Sequence, residues 1–397
     1  MDIVFVYNIF KKKQEYMRIF FYFFKKKIFM IIIHSINRKI IVMLKFEQNK
    51  IINFFKNKFS IFFLILIISF TFFSCSQEKN YNAQLKGNTM GTYYVINVIS
   101  VPPKLKIKKI EKEVKDTLSK SNKILSNWDK NSEISTINKF NNTTPIKISN
   151  ELNEVFKTAN EINIKTNGFF DITLDPIIEL WGFGYKSKQT KTAPSEQQIK
   201  NTLSIVGQRS LLDINYENNE LIKKNKNLKI NLSSIGKGFG IDLIGKKLNQ
   251  LGIKNYLINI GGDILTKGHN KKNKNWIIGI ENPNLKEKLI KDIVNLTNKG
   301  LATSGDYKNF FTKDGKIYSH IINPKTGKPI MHSTKSVTVI HDNSMKADGW
   351  ATALLALGRV DGLKIAEKEK IAVLFIDEID DKFVKFKSNQ FLYFKQN

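Results

Sequence analysis

The chain predicts an α+β fold in a single domain, and three observations carry that expectation. From Asn88 onward β-rich runs and helix-spaced runs follow one another in irregular order. No long linker and no internal sequence repeat interrupts them. A length of 397 residues with 42% hydrophobic content is enough for a sizeable core.

The elements follow in order. Tyr93–Ser100 (YYVINVIS) is β-rich. Within Lys104–Trp128 the apolar positions Ile107, Ile110, Val114, Leu118, Ile124 and Leu125 recur at helical spacing. Glu151–Thr166 reads as a second helix, stopped by Asn167-Gly168. Residues 186–228 are lysine-rich and weakly patterned, which suits a peripheral hairpin and loop. Lys229–Leu232 reads as a strand, Gly238–Leu251 as a helix closed by Gly252, and Asn255–Ile260 as a strand ending in a Gly261-Gly262-Asp263 turn. Strands are expected at Trp276–Glu281, Ile293–Leu296, Lys316–Ile322 and Val337–His341. Ala347–Leu357 is a helix closed by Gly358, and Ile371–Ile376 and Phe391–Phe394 finish the chain as strands.

Lys and Arg total 64 against 35 Asp and Glu, a formal charge of +29. The surplus is mostly Lys strewn among Asn, Ile and Phe, and no DNA- or RNA-binding module accompanies it, so no nucleic-acid partner is expected. Cys75 is the one cysteine, which excludes disulfide scaffolds and cysteine zinc sites within a monomer. It follows FSIFFLILIISFTFF (Phe59–Phe73), an uncharged run preceded by Lys56 and Lys58. A basic flank, a short apolar run and Ser74 before Cys75 match a secretory signal with a relaxed lipobox, although Phe72 and Phe73 depart from the usual pattern. An uncleaved anchor with an incidental cysteine is the alternative. The expected organisation is therefore 1–42, an over-extended start or a second membrane segment around 28–42; 43–74, a signal peptide; 75–88, a polar lipidated tether; and 89–397, the α+β domain. The expected location is outside the cell or in the periplasm, held to the inner membrane by lipid on Cys75.

Three segments carry candidate chemistry. In DGWATALLALG, Asp348 and Thr352 are four residues apart and share one helix face, so both oxygens can meet a hard cation such as Mg2+. The same pair also suits a carboxylate serving the helix dipole beside a packed threonine. INLSSIGKGFGID places Gly236, Gly238 and Gly240 at a helix start, where backbone can approach phosphate and Lys237 can add charge. It fits neither the Walker A loop nor the dinucleotide fingerprint. YSHIINPKTGKP puts His320 near a strand end, either as a structural residue or beside a phosphate. The aromatics of TNGFFD and LWGFGY suit core packing or stacking on a flat ring. No HExxH, GxSxG or glycosidase carboxylate pair is present.

Eight segments in order resemble the ApbE family of flavin transferases. They are NTMGTYYVINV (88–98), SNWDKNSEISTIN (126–138), TNGFFDITLDPIIELWGFG (166–184), INLSSIGKGFGID (230–242), YLINIGGDI (256–264), LATSGDYKNFF (301–311), YSHIINPKTGKPI (318–330) and SVTVIHDNSMKADGWATALLALG (336–358). The resemblance implies a T-fold-like domain with mixed or antiparallel sheets flanked by helices. It implies an FAD:protein FMN transferase using Mg2+, in which a Ser or Thr hydroxyl of an acceptor takes FMN and AMP leaves. Acceptors would be subunits of membrane redox complexes. Met90, Phe170 and Asp171 match flavin-site positions. Asn231 stands where the family usually has an FAD-contacting Asp, and Lys237 matches another FAD contact. Ser234, through its carbonyl, with Asp348 and Thr352 matches the magnesium site; His320 matches a histidine near the flavin phosphates. Asn323 stands where many relatives carry Asp. Two rival readings use the same residues: an Mg2+-dependent FAD pyrophosphatase, and a non-catalytic flavin-binding lipoprotein.

Overall fold

The computed structural model describes residues 80–184, 193–283, 290–307 and 309–394, with Lys27 isolated from them. The expected signal peptide, Cys75 and the segment 1–42 apart from Lys27 lie outside the described residues, and residues 79–397 form one unit. Strand β1 (Tyr81–Thr89) and β2 (Thr92–Val101) are followed by α1 (Ile107–Leu125), α2 (Glu133–Lys139), β3 (Ile146–Lys147), α3 (Asn150–Lys165) and α4 (Asp175–Leu180). Next come α5 (Glu196–Leu203), α6 (Gln208–Leu211), β4 (Leu212–Asn215), β5 (Glu220–Lys223), α7 (Gly236–Gln250), β6 (Asn255–Ile260), β7 (Asp263–Lys267), β8 (Trp276–Glu281) and β9 (Ile290–Leu296). The chain continues as β10 (Gly300–Gly305), β11 (Phe310–Lys313), β12 (Lys316–Ser319), β13 (Ile322–Asn323), β14 (Lys328–Pro329), β15 (Thr334–His341), α8 (Ser344–Leu357), α9 (Arg359–Lys368), β16 (Ala372–Ile379) and β17 (Lys382–Lys387).

One eight-stranded sheet organises these elements in the order β1-β2-β6-β7-β10-β15-β16-β17. Every neighbouring pair is antiparallel. Alternation decides which side chains enter the core: in β2, Tyr94, Ile96 and Val98 are buried. Tyr94, Ile96 and Val98 join Ile110, Val114 and Leu118 of α1 and Ile241, Ile244 and Leu248 of α7 in one cluster. Val337 and Val339 of β15 pack with the α8 side chains of Trp350, Ala351, Leu354 and Leu355, whereas Ile340 faces the other way onto Trp276, Ile278 and Phe391. Helices therefore cover one face of the sheet, and the β8–β9 ribbon packs on the other. Helix α8 is apolar nearly all round and sits in the core, as such a helix must.

Four expectations need correction. The tether 75–88 does not persist: residues 81–88 belong to β1, whose backbone pairs with β2 from Tyr81↔Val101 to Thr89↔Thr92. Lys229–Leu232 is extended but is no strand. Ile230 bonds to side-chain amides instead, with Asn127 and Asn138 donating to its carbonyl at 2.8 Å and Asn138 accepting from its N–H at 2.8 Å, while the Asn231 N–H donates to the Ile172 carbonyl at 2.8 Å. Phe391–Phe394 lies in a 3-10 turn, Asn389–Phe394, because Phe391 is buried against the sheet while Leu392 and Tyr393 are exposed. Within 186–228 the β4–β5 hairpin is present, but α5 precedes it, started by a capping box in which Ser195 and Gln198 bond reciprocally.

Candidate functional site

The site begins where α7 crosses α8. A Cβ on Gly238 would lie 2.3 Å from the Ser344 carbonyl oxygen, so only glycine permits this approach. At this closeness the helices exchange carboxylate caps. Asp242 of α7 accepts the Ser344 and Met345 N–H groups of α8 at 3.0 and 2.9 Å. Asp348 of α8 accepts the Gly238 N–H of α7 at 2.9 Å. The residue types at these positions thus serve local helix ends before they serve any ligand.

The other Asp348 oxygen lies 3.2 Å from the Lys237 ammonium, which also lies 2.6 Å from Asp263. Asp263 sits at the start of β7, in the Gly261-Gly262-Asp263 turn, and is buried. Burial raises the Asp348 carboxyl above its usual range, opposed by the Lys237 charge and the Gly238 N–H. Burial works against the charge on Lys237, but the two carboxylates outweigh it and raise its pKa.

One turn along α8, the Thr352 hydroxyl lies 3.1 Å from the Ser304 hydroxyl of β10 and 3.4 Å from the Ser234 carbonyl oxygen. Asp348, Thr352, Ser234, Lys237, Asn231, Phe170, Asp171 and His320 all line one cavity of about 330 Å³. Carboxylate, hydroxyl and carbonyl oxygens meeting at one wall form a hard donor set. They suit a small divalent cation that keeps water or phosphate oxygens in its remaining positions. Among the described residues no three His, Cys, Asp or Glu side chains gather as a self-sufficient metal cage would.

His320 follows β12 directly. Its Nδ1 is 3.0 Å from the Asn309 carbonyl, and its own N–H donates to that same oxygen at 3.1 Å. A carbonyl only accepts, so Nδ1 carries the proton and Nε2 is the basic nitrogen. Phe183 meets the imidazole edge-on at 6.3 Å between centroids.

Three residues matching flavin-site positions have structural duties at the cavity wall. Asp171 accepts Thr173 N–H and hydroxyl at 2.7 and 2.5 Å and Gln208 N–H at 3.0 Å; burial still raises its pKa. Phe170 is buried in the main core cluster, and the half-buried Phe169 beside it carries Lys325 over its ring at 5.9 Å. Asn231 donates to the buried Asp175 carboxylate at 2.8 Å and accepts the Ser233 N–H at 3.0 Å. The amide is what tolerates Asp175, since a carboxylate at 231 would face a second one at hydrogen-bond distance.

Met90 lies apart from this cavity. It lines a second one of about 720 Å³, with Trp128, Asp129, Asn122 and Gly236. Ser233 and Lys237 line both cavities. Met90 and Gly91 form the two-residue turn between β1 and β2 at φ +49° and +71°, a left-handed pairing that ordinarily selects Asn-Gly. Trp128, 75% exposed at this second cavity, was not singled out by sequence. Nor were Asp263 and Ser304. Trp128 and Asp263 sit in motifs quoted above, but spacing along the chain gave no sign that they face the site.

The ApbE family model matches residues 90–375. The chain is 39% identical over 326 residues to the FAD:protein FMN transferase of Buchnera aphidicola subsp. Schizaphis graminum, covering 82% of this chain and 94% of that protein. It is 35% identical over 328 residues to the one from Vibrio cholerae, covering 83% and 97%. Its fold matches the solved structure of the flavin transferase ApbE from Vibrio cholerae with a TM-score of 0.74 at 36% identity, over 79% of this chain and 99% of that one.

Proposed function

The chain belongs to the ApbE family, and from that premise we propose that it is an FAD:protein FMN transferase whose transfer step uses Mg2+ at the wall formed by Asp348, Thr352 and the Ser234 carbonyl. One observation carries this reading. Residues from α7, α8, β10 and the segment after β12, distant in sequence, bring an ammonium, a hard oxygen donor set and an imidazole into one cavity.

The two cavities share Lys237 and Ser233. The dinucleotide extends across both, with its pyrophosphate at the shared wall beside the Lys237 ammonium. Met90 and Trp128 offer apolar contact at one end, and the cavity holding Phe169 and His320 takes the other. Bound there, Mg2+ supplies charge neutralisation for the phosphates and the leaving group. Lys237 holds phosphate oxygen, and the site walls orient the phosphorus for in-line attack. A Ser or Thr hydroxyl of the acceptor attacks the FMN-side phosphorus. The new P–O bond forms as the bond to AMP breaks, and AMP departs with the bridging oxygen. His320 Nε2 accepts the hydroxyl proton; the Asn309 carbonyl at Nδ1 fixes the tautomer this requires.

The acceptors are subunits of membrane redox complexes, and the enzyme meets them from outside the inner membrane, tethered through lipid on Cys75. The apolar run Phe59–Phe73 with its lysine flank supports this location. Protein, FAD, Mg2+ and an acceptor should give an acceptor mass gain equal to FMN, lost in Asp348→Ala. AMP release without acceptor labelling would point to the pyrophosphatase instead. Retention of FAD with neither product would sink the enzymatic reading.

A further inference from the structure

Lys237 stands between two buried carboxylates, 2.6 Å from Asp263 and 3.2 Å from Asp348. We propose that Asp263 is a positioning residue that draws the Lys237 ammonium away from Asp348 and so leaves an Asp348 oxygen for a divalent cation. The inference rests on the Mg2+ reading above.

Charge is the first argument. Asp348 and Lys237 alone would form a neutral pair, and a cation could use Asp348 only by displacing an ammonium already bound to it. With Asp263 included, two carboxylates share one ammonium and the cluster carries a surplus negative charge, which in a buried site attracts a cation strongly. Geometry is the second. The ammonium is nearer Asp263 by the difference between the two distances above, so the unequal sharing is already present. Asp263 is held where it can do this: its Oδ1 accepts the Thr303 N–H at 3.2 Å. Its buried Oδ2 makes no hydrogen bond of good geometry and faces the ammonium as an ion pair. Asp348 is tied differently, with one oxygen on the Gly238 N–H at 2.9 Å. When a cation arrives, Lys237 can move wholly onto Asp263 without leaving a buried charge unpaired. The same shift keeps the ammonium at the wall shared by both cavities, where a pyrophosphate would lie.

The test measures Mg2+ binding to the FAD-free protein by calorimetry, with Mn2+ and its paramagnetic signal as a second probe. Asp263→Asn keeps an acceptor for Thr303 N–H but hands Lys237 to Asp348, and affinity should fall at least about tenfold. Lys237→Met removes the competing ammonium and should bind the ion more tightly than wild type. The double variant should return close to wild type. Thermal unfolding confirms that each variant is folded, and the Lys237→Met measurement stands whether or not Asp263→Asn folds. Unchanged affinity in Asp263→Asn, no gain in Lys237→Met, or a double variant as weak as Asp263→Asn overturns the inference while leaving the Mg2+ site intact. A wild type that takes up neither ion overturns the Mg2+ reading and this inference together.

Discussion

In the first half of the large sheet, hairpins β1–β2 and β6–β7 flank helices α1 and α7; in the second half, β10–β15 and β16–β17 flank α8 and α9 in the same spatial order. The sequence shows no repeat, yet the topology repeats. Each half also lends an aspartate to the other's helix: Asp242 caps α8 and Asp348 caps α7. The difference lies in the spare oxygen. Asp242 commits both oxygens to backbone N–H groups and lines neither cavity, so it acts in folding. Asp348 commits one and turns the other to Lys237 at the cavity wall. Asp348 thus caps a helix and faces the cavity at once, as Asp242 does not. The insertions differ too. Between α1 and α7 the chain brings Asp171, Asn231 and Trp128, and between β10 and β15 it brings His320 and Asn309, so the walls come from unlike material around a floor whose topology repeats.

Asp348→Ala should lower FMN transfer by about 10²–10³-fold, the scale for removing a principal electrostatic stabiliser. Asp242→Ala, assayed on protein shown to be folded, should stay within about threefold of wild type, because nothing in the transfer step touches it. Equal losses in both, measured by acceptor mass gain, would show that Asp348 acts only as a cap. Next in size, Gly238→Ala should destabilise by about 3 kcal/mol or more, since its Cβ meets backbone rather than a side chain that can turn away. Denaturant unfolding checks this, and a mild effect would mean that the helices can part and still cap one another.

Two smaller effects refine the contrast. Burial pushes the Asp242 carboxyl up to about 6, against the pull of the Met345 and Ser344 N–H groups. An unfolded aspartate has a pKa of about 3.9. Between those values the folded protein keeps a proton that the unfolded chain has released. Its stability contribution is therefore fullest below the unfolded value and is lost as pH rises through the folded one, by about 3 kcal/mol in all. The stability advantage of wild type over Asp242→Ala should shrink correspondingly from pH 4 to pH 7; a constant difference would contradict the raised pKa. Last, Met90→Asn should stabilise the fold by about 0.5–1 kcal/mol, since asparagine tolerates the left-handed turn better than methionine. It should also weaken FAD binding in a fluorescence titration. Stabilisation without weaker binding would make the strained methionine an accident of the turn.

Much of the fold was legible because its signals are local. The helical spacing of Ile110, Val114 and Leu118 marked α1, and the glycines at 252 and 358 marked helix ends. The errors fell where side chains from elsewhere decide the backbone's state. Lys229–Leu232 looks like a strand, but Asn127 and Asn138 satisfy Ile230 in place of a neighbouring strand. Residues 81–88 look like a polar tether, because alternating polarity along a half-exposed strand has little apolar mass until a partner is known. The site was legible only as types and order. Lys237, His320, Asp348 and Thr352 could be picked from their motifs, whereas Asp263 and Trp128 sat unmarked within theirs.

By itself the sequence determined the family, the helix and strand periods, and the stock of oxygens, glycines and a lone lysine from which the site is made, since those depend on residues within a few positions of each other. Only the tertiary structure decided that Lys237 would stand between two buried carboxylates, that Asn231 would face Asp175, and that Met90 would line a different cavity from Asp348. Burial and distance between residues far apart along the chain set those relationships, and neither is a property of any one segment.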